Sequence, residues 1–185
     1  VIAHLNWNLI FGRTLKNVDI FLPSIEEMLL TLRRKDYDQW MPNIMSHLTT
    51  AYLSQLADEL LAMGVVIAGF KLGEYGMYLK TGKVESFSRL SQINIDANQW
   101  ADQEIWIPAY SVHVVGTTGA GDSAYAGFLA AMLRGYSPID ALRWACAVGA
   151  CNVEAADATS GIRTWDDTNA RLTTDWATRH ERLRD

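Results

Sequence analysis

Between Gly116 and Asp122 the chain reads GTTGAGD, and a run of small residues follows up to Gly135. Glycines let a backbone approach an anion closely and adopt conformations that side chains forbid. A helix beginning here adds unpaired N–H groups and the positive end of its dipole. Gly119, Ala120 and Gly121 can therefore form a cradle of N–H donors for a phosphate or a developing negative charge. A carboxylate beside such a cradle repels the anion unless it has another task. Asp122 fits one: taking a proton from a hydroxyl that then attacks phosphorus. The competing reading makes Asp122 a helix N-cap, held there for its own hydrogen bonds. Two other phosphate motifs do not fit. No lysine follows Gly121, as a P-loop requires, and position 124 is alanine where G-x-G-x-x-G needs glycine.

The elements that must position this turn can be read from hydrophobic spacing. VDIFL (Val18 to Leu22) reads as a buried strand and SIEEMLLTLRR (Ser24 to Arg34) as a helix. Thr49 to Gly64 shows helical spacing with Gly64 as its stop. Gly64 to Lys71 is a short β-rich run, the pattern of a buried parallel strand. EYGMYLKTGKVESF reads as a hairpin with Thr81-Gly82 near its turn. Ser86 to Asp102 reads as a loop, and Glu104 to Tyr110 and Val112 to Gly116 as short strands. Helices are expected over Ser123 to Leu133, over Ile139 to Ala158 and from Trp165 onward. This alternation predicts an α/β fold with a largely parallel sheet, where ligands bind at the carboxyl ends of strands.

The bulk numbers agree with an ordinary globular protein. The chain has 185 residues, 49% hydrophobic and 20% charged, enough for one domain with a sizeable core. A net charge of -5 points away from nucleic acid and anionic membrane surfaces as partners. No apolar run is long enough to span a bilayer. Cys146 and Cys151 lie in one apolar helical stretch and read as buried structural thiols, which suits a reducing, cytoplasmic setting. The seven tryptophans read as packing residues rather than a sugar-stacking platform.

The stretch GTTGAGDSAYAGFLAAMLRG resembles the C-terminal signature of the PfkB, or ribokinase-like, family of carbohydrate kinases. The resemblance departs from the signature at Gly116, where the family commonly has aspartate. It implies a three-layer, Rossmann-like fold and transfer of the γ-phosphate of ATP to a sugar or nucleoside hydroxyl. Asp122 would be the base, and Gly119, Ala120 and Gly121 the anion hole. FKLGEYGMYLKTG resembles the family segment near the nucleotide phosphates, which assigns Lys71, Gly73 and Gly76 to the cofactor together with Thr118. Asn152, on the helix and loop beyond, would face the base. DIFLPSIEEM resembles the segment with N-x-x-E, making Glu27 a magnesium residue acting through water, with serine at position 24 in place of asparagine. S-x-x-E is also a capping box, and Ser24 reads as a cap. HLNWNLI (His4 to Ile10) is similar to a family strand carrying D-x-N, here Asn6 and Asn8. Monovalent-cation activation occurs in relatives.

The resemblance covers the ATP-side, C-terminal portion of the family. The N-terminal half, with its sugar contacts and the lid sheet through which relatives form homodimers, is expected to be missing from this chain. The whole chain is therefore read as a single α/β domain, residues 1–185. A non-catalytic relative that binds nucleotide or sugar is the alternative from another functional class.

Overall fold

The structure, a computed structural model, describes residues 5–184. Helix α1 (Trp7–Thr14) leads into β1 (Ile20–Phe21), α2 (Ile25–Leu32), α3 (Arg34–Trp40) and α4 (Thr50–Ala62). Then come β2 (Ile67–Lys71), β3 (Met77–Thr81), α5 (Ala97–Trp100) and β4 (Glu104–Ile107). Helices α6 (Ala120–Leu133), α7 (Pro138–Asn152) and α8 (Trp165–Leu172) complete the chain.

The four strands form one sheet in the order β1-β2-β3-β4. β1 pairs parallel with β2, whereas β2–β3 and β3–β4 are antiparallel. The sheet within the described residues is thus mixed, where strand–helix alternation predicted a largely parallel one. The reason lies in Leu72 to Gly76. A link this short cannot make the crossover that a parallel neighbour needs, so β3 must return antiparallel. Gly73 and Gly76 take positive φ values of 55° and 88° to make the turn. The hairpin expected over EYGMYLKTGKVESF, turning at Thr81-Gly82, does not form: Thr81 ends β3 with its hydroxyl donating to the Trp100 carbonyl at 2.6 Å, and Val84–Leu90 is a 3-10 helix, so β3 pairs with β2 before it and β4 after it instead.

Strand residues alternate between two cores, as a pleated sheet with two covered faces requires. Ile67, Met77 and Leu79 face Phe128, Ala131, Met132, Leu142 and Ala145 of α6 and α7. Ala68, Phe70 and Tyr78 face Ile25, Leu29, Leu53, Leu56 and Leu60 of α2 and α4. Helix, sheet and helix make the three layers. Small residues let α6 and α7 approach closely: a methyl group at Gly127 would lie 2.8 Å from Val148 Cγ2. The loop between β3 and β4 is anchored by Trp100, which is fully buried and meets Phe128 edge-on at 5.9 Å between ring centroids.

Several boundaries differ from the sequence reading. Asn6 caps α1, its Oδ1 accepting from the Leu9 N–H at 3.1 Å, so this segment is a helix and not a strand. His4 lies outside the described residues. Helix α2 ends at Leu32, and α3 starts anew two residues on. Val112 to Gly116 is irregular backbone, not a strand. Helix α7 stops at Asn152, six residues before the expected end. There Asp157 captures the backbone N–H groups of Thr159 and Ser160, at 2.9 and 2.7 Å, and folds the chain into a turn. After α8, residues 173–184 leave the helix and run back across the β4 end of the molecule.

Candidate active site

Gly119 is the N-cap of α6, with φ of 74°. This left-handed conformation costs glycine little and other residues more. Its carbonyl accepts the first helical bond, from Ser123 N–H at 2.8 Å. Ala120, Gly121 and Asp122 thus form the first turn, where amides lack helical partners. The Ala120 N–H finds the Thr117 carbonyl at 3.2 Å. The Gly121 and Asp122 amides have no such acceptor among the described residues. Asp122 is the third helical residue and is exposed, and its carboxylate makes no hydrogen bond or ion pair among the described residues. It is therefore not an N-cap, and its oxygens are available to solvent and ligand.

The turn rests on the loop that follows α7. A methyl group at Gly119 would lie 2.8 Å from the Ala158 carbonyl oxygen, and one at Gly116 would lie 2.9 Å from that of Ala156. Contact this tight leaves no room for a side chain, which accounts for glycine at 116 where the signature carries aspartate. Asn152 holds the same loop from below. It is fully buried at the end of α7, and its Nδ2 donates to the Ala158 carbonyl at 2.6 Å. Its Oδ1 is buried without a partner.

A cavity of about 440 Å³ opens between the α6 turn and the β2–β3 turn. It brings together Lys71, Gly73, Gly76, Ala120 and Gly121. Most of the remaining lining is apolar, including Met77, Val112, Val114, Ala124, Ala145, Cys146 and Val153. Burial pushes the Cys146 thiol up to about 12, so it lines the cavity as a neutral group. Lys71 ends β2, where its N–H bonds the Pro23 carbonyl at 2.9 Å. Its ammonium forms no ion pair among the described residues and reaches the α6 turn. The two turn glycines differ in constraint. A methyl at Gly76 would lie 2.0 Å from the Ile107 carbonyl oxygen, while Gly73 faces open space.

Thr118, Gly119, Asp122 and Asn152 do not line this cavity; Gly119 and Asp122 belong to the turn at its edge. Glu27 lines a second cavity, of about 420 Å³, together with Tyr125 and Lys71, so the lysine borders both. The Ser24–Glu27 capping box is formed: Ser24 N–H donates to Glu27 Oε2 at 2.8 Å and Glu27 N–H to Ser24 Oγ at 3.2 Å. Among the described residues no three acidic, histidine or cysteine side chains gather as a metal site. Glu74 and Arg179 also line the first cavity and form an ion pair at 2.8 Å. Sequence reading did not single them out, because their meeting depends on a tail 105 residues downstream with no local signal.

The profile of the pfkB family of carbohydrate kinases matches residues 11–165. That is most of the chain, and the chain belongs to this family. An uncharacterized sugar kinase of Archaeoglobus fulgidus is 32% identical over 123 residues, covering 66% of this chain and 35% of the relative. The 2-dehydro-3-deoxygluconokinase of Bacillus subtilis is 33% identical over 109 residues, covering 59% of this chain and 28% of the relative. Among solved structures, Arabidopsis thaliana ribokinase in complex with ribose and ATP superposes with a TM-score of 0.64 at 23% identity. That match covers 89% of this chain and 44% of the ribokinase, and it establishes the ribokinase-like fold. The chain thus spans about a third of the curated relatives' length and under half of the ribokinase's.

Proposed function

We propose that this chain is the ATP-side portion of a kinase that transfers the γ-phosphate of ATP to a sugar hydroxyl. The observation that carries the reading is the meeting of three features in or at the edge of one cavity. These are a helix N-terminus with open amides, a lysine without an ion-pair partner, and an exposed carboxylate on the first helical turn. Each suits phosphoryl transfer, in which positioning and charge stabilisation do most of the work.

In this account the apolar cavity receives the nucleotide. Lys71 and the first-turn amides of α6, with Gly119 and Ala120 shaping the turn, bind the transferring phosphate. Asp122 accepts the proton of the attacking hydroxyl. Thr118, Gly73 and Gly76 shape the backbone around the phosphates, and Asn152 acts indirectly by holding the loop behind the turn. Magnesium suits Glu27, because one carboxylate oxygen is committed to the capping box and the other is open. A site with one carboxylate fits an ion held mainly by water and phosphate oxygens. When bound, that ion offsets phosphate charge. The Ala155, Ala156 and Ala158 carbonyls around the glycine turn are the oxygen-rich place for a monovalent cation.

A nucleoside is the alternative acceptor on the same fold. A purely binding role is less well supported, because a carboxylate free of structural hydrogen bonds serves no purpose in an anion-binding turn.

The test is calorimetric titration of the chain with MgATP. The reading predicts saturable binding between about 1 μM and about 1 mM, the span of ordinary substrate constants. Absence of saturable binding at millimolar nucleotide would refute it.

A further inference from the structure

The tail beyond α8 is pinned, and its register brings one charged side chain to the cavity. Ser111 N–H donates to the Ala177 carbonyl and Arg179 N–H to the Ala109 carbonyl, both at 2.8 Å. Trp176 stacks on Tyr110 at 4.3 Å between centroids, and the Arg171 guanidinium covers its ring at 3.7 Å. The tail lies beyond the residues that the family profile matches, which end at 165.

Arg179 lines the cavity with its donors largely spent. Its Nε and Nη2 bond Glu181 at 3.2 and 2.9 Å, and Nη2 also bonds Glu74 at 2.8 Å. Two carboxylates on this guanidinium offset its charge and occupy its Nε and Nη2, which suits it poorly to a phosphate. What the group still offers is its flat, fixed face and Nη1. A guanidinium held in plane by carboxylates stacks well on aromatic rings. The surrounding lining is apolar and suits the base of a nucleotide rather than its phosphates.

We infer that Arg179 is a base-stacking residue that the C-terminal tail contributes to the nucleotide site, capping the adenine with its guanidinium face. This rests on the proposed ATP site. It divides the cavity into a phosphate end at Lys71 and Gly121 and a base end at Arg179, with Glu74 and Glu181 as the residues that position the cap.

The test measures the affinities of ATP, adenosine and inorganic tripolyphosphate for the parent, Arg179→Gln, Arg179→Lys and Arg34→Gln. Arg34, the control, pairs with Asp38 at 2.8 Å on α3 and does not line the cavity. Arg179→Gln should weaken ATP and adenosine alike, by about fivefold, and leave tripolyphosphate unchanged. Lysine should not restore the loss, because it keeps the charge without the plane. Melting curves establish that each variant is folded. Rescue by lysine, an unchanged adenosine affinity, or an equal loss in Arg34→Gln would overturn the inference. If the parent binds ATP and Arg179→Gln changes nothing, the inference alone fails. If the parent binds neither ATP nor adenosine, the kinase reading fails and takes the inference with it.

Discussion

Lys71 lays its ammonium against the backbone of Gly121: a methyl group added at Gly121 would lie 3.2 Å from Nζ and 3.3 Å from Cδ. The end of the buried strand β2 and the first turn of α6 are thereby joined at the mouth of the cavity. A cation and the first-turn residue Gly121, whose amide has no backbone acceptor among the described residues, border the same space, an arrangement suited to an anionic group.

This contact separates binding from stability. Gly121→Ala meets only the far end of a flexible side chain, so stability should stay within about 1 kcal/mol of the parent. The displaced ammonium should nevertheless weaken MgATP. Lys71→Met should weaken it more, by about 10- to 100-fold, the range for losing a charged hydrogen bond. Calorimetry paired with thermal melting checks both. Unchanged nucleotide affinity in Lys71→Met would remove the lysine from the site.

The glycine turn should tolerate no side chain at two positions. Gly119→Ala forces a left-handed conformation on alanine and drives its Cβ to 2.8 Å from the Ala158 carbonyl oxygen. The expected loss is about 1–3 kcal/mol, visible in denaturant unfolding. Gly116→Asp, which restores the residue common in the family signature, should also destabilise this chain. Its Cβ would come within 2.9 Å of the Ala156 carbonyl oxygen. A Gly116→Asp variant as stable as the parent would show that the loop behind the turn yields easily.

Acid should loosen that loop in a defined window. Hydrogen bonds from Ser160 and Thr159 hold the Asp157 carboxyl well below its ordinary 3.8, at about 2. A carboxylate with a depressed folded pKa contributes stability above its unfolded value, and loses it as pH falls toward the folded one. The contribution is thus intact above about pH 4 and disappears toward pH 2. Melting temperatures measured across that range should fall less steeply for Asp157→Ala than for the parent. Parallel curves would mean that Asp157 does not hold the loop in solution.

The parts of this site that could be read from sequence are those fixed by local chemistry. Gly119 and Asp122 were legible because a positive-φ glycine and a first-turn acid are local requirements of one helix start. The strand ending at Lys71 was legible as a buried run and the Ser24–Glu27 box as a cap, whereas a place for Lys71 in the site came only from the family resemblance of its segment. The misreadings have equally specific causes. Gly73 to Gly76 and Thr81-Gly82 both look like turns, and only strand pairing decides between them. Val112 to Gly116 is rich in β-branched residues, yet among the described residues no strand pairs with it. Alanines past Asn152 favour helix, but the Asp157 side chain and the Asn152 amide capture the loop backbone instead. Glu74 and Arg179 meet only because the tail docks alongside Ala109 to Ser111. No local pattern encodes such a long-range contact.

The central claim is that Asp122 removes the proton from the acceptor hydroxyl. It is tested most directly by ADP formation from MgATP against a panel of sugars and nucleosides, comparing the parent with Asp122→Asn. The account predicts acceptor-dependent turnover in the parent, with kcat lower by about 10²- to 10⁴-fold in Asp122→Asn and MgATP affinity little changed. Equal turnover by the two proteins on the same acceptor would contradict it and reduce Asp122 to an exposed acid at a helix start.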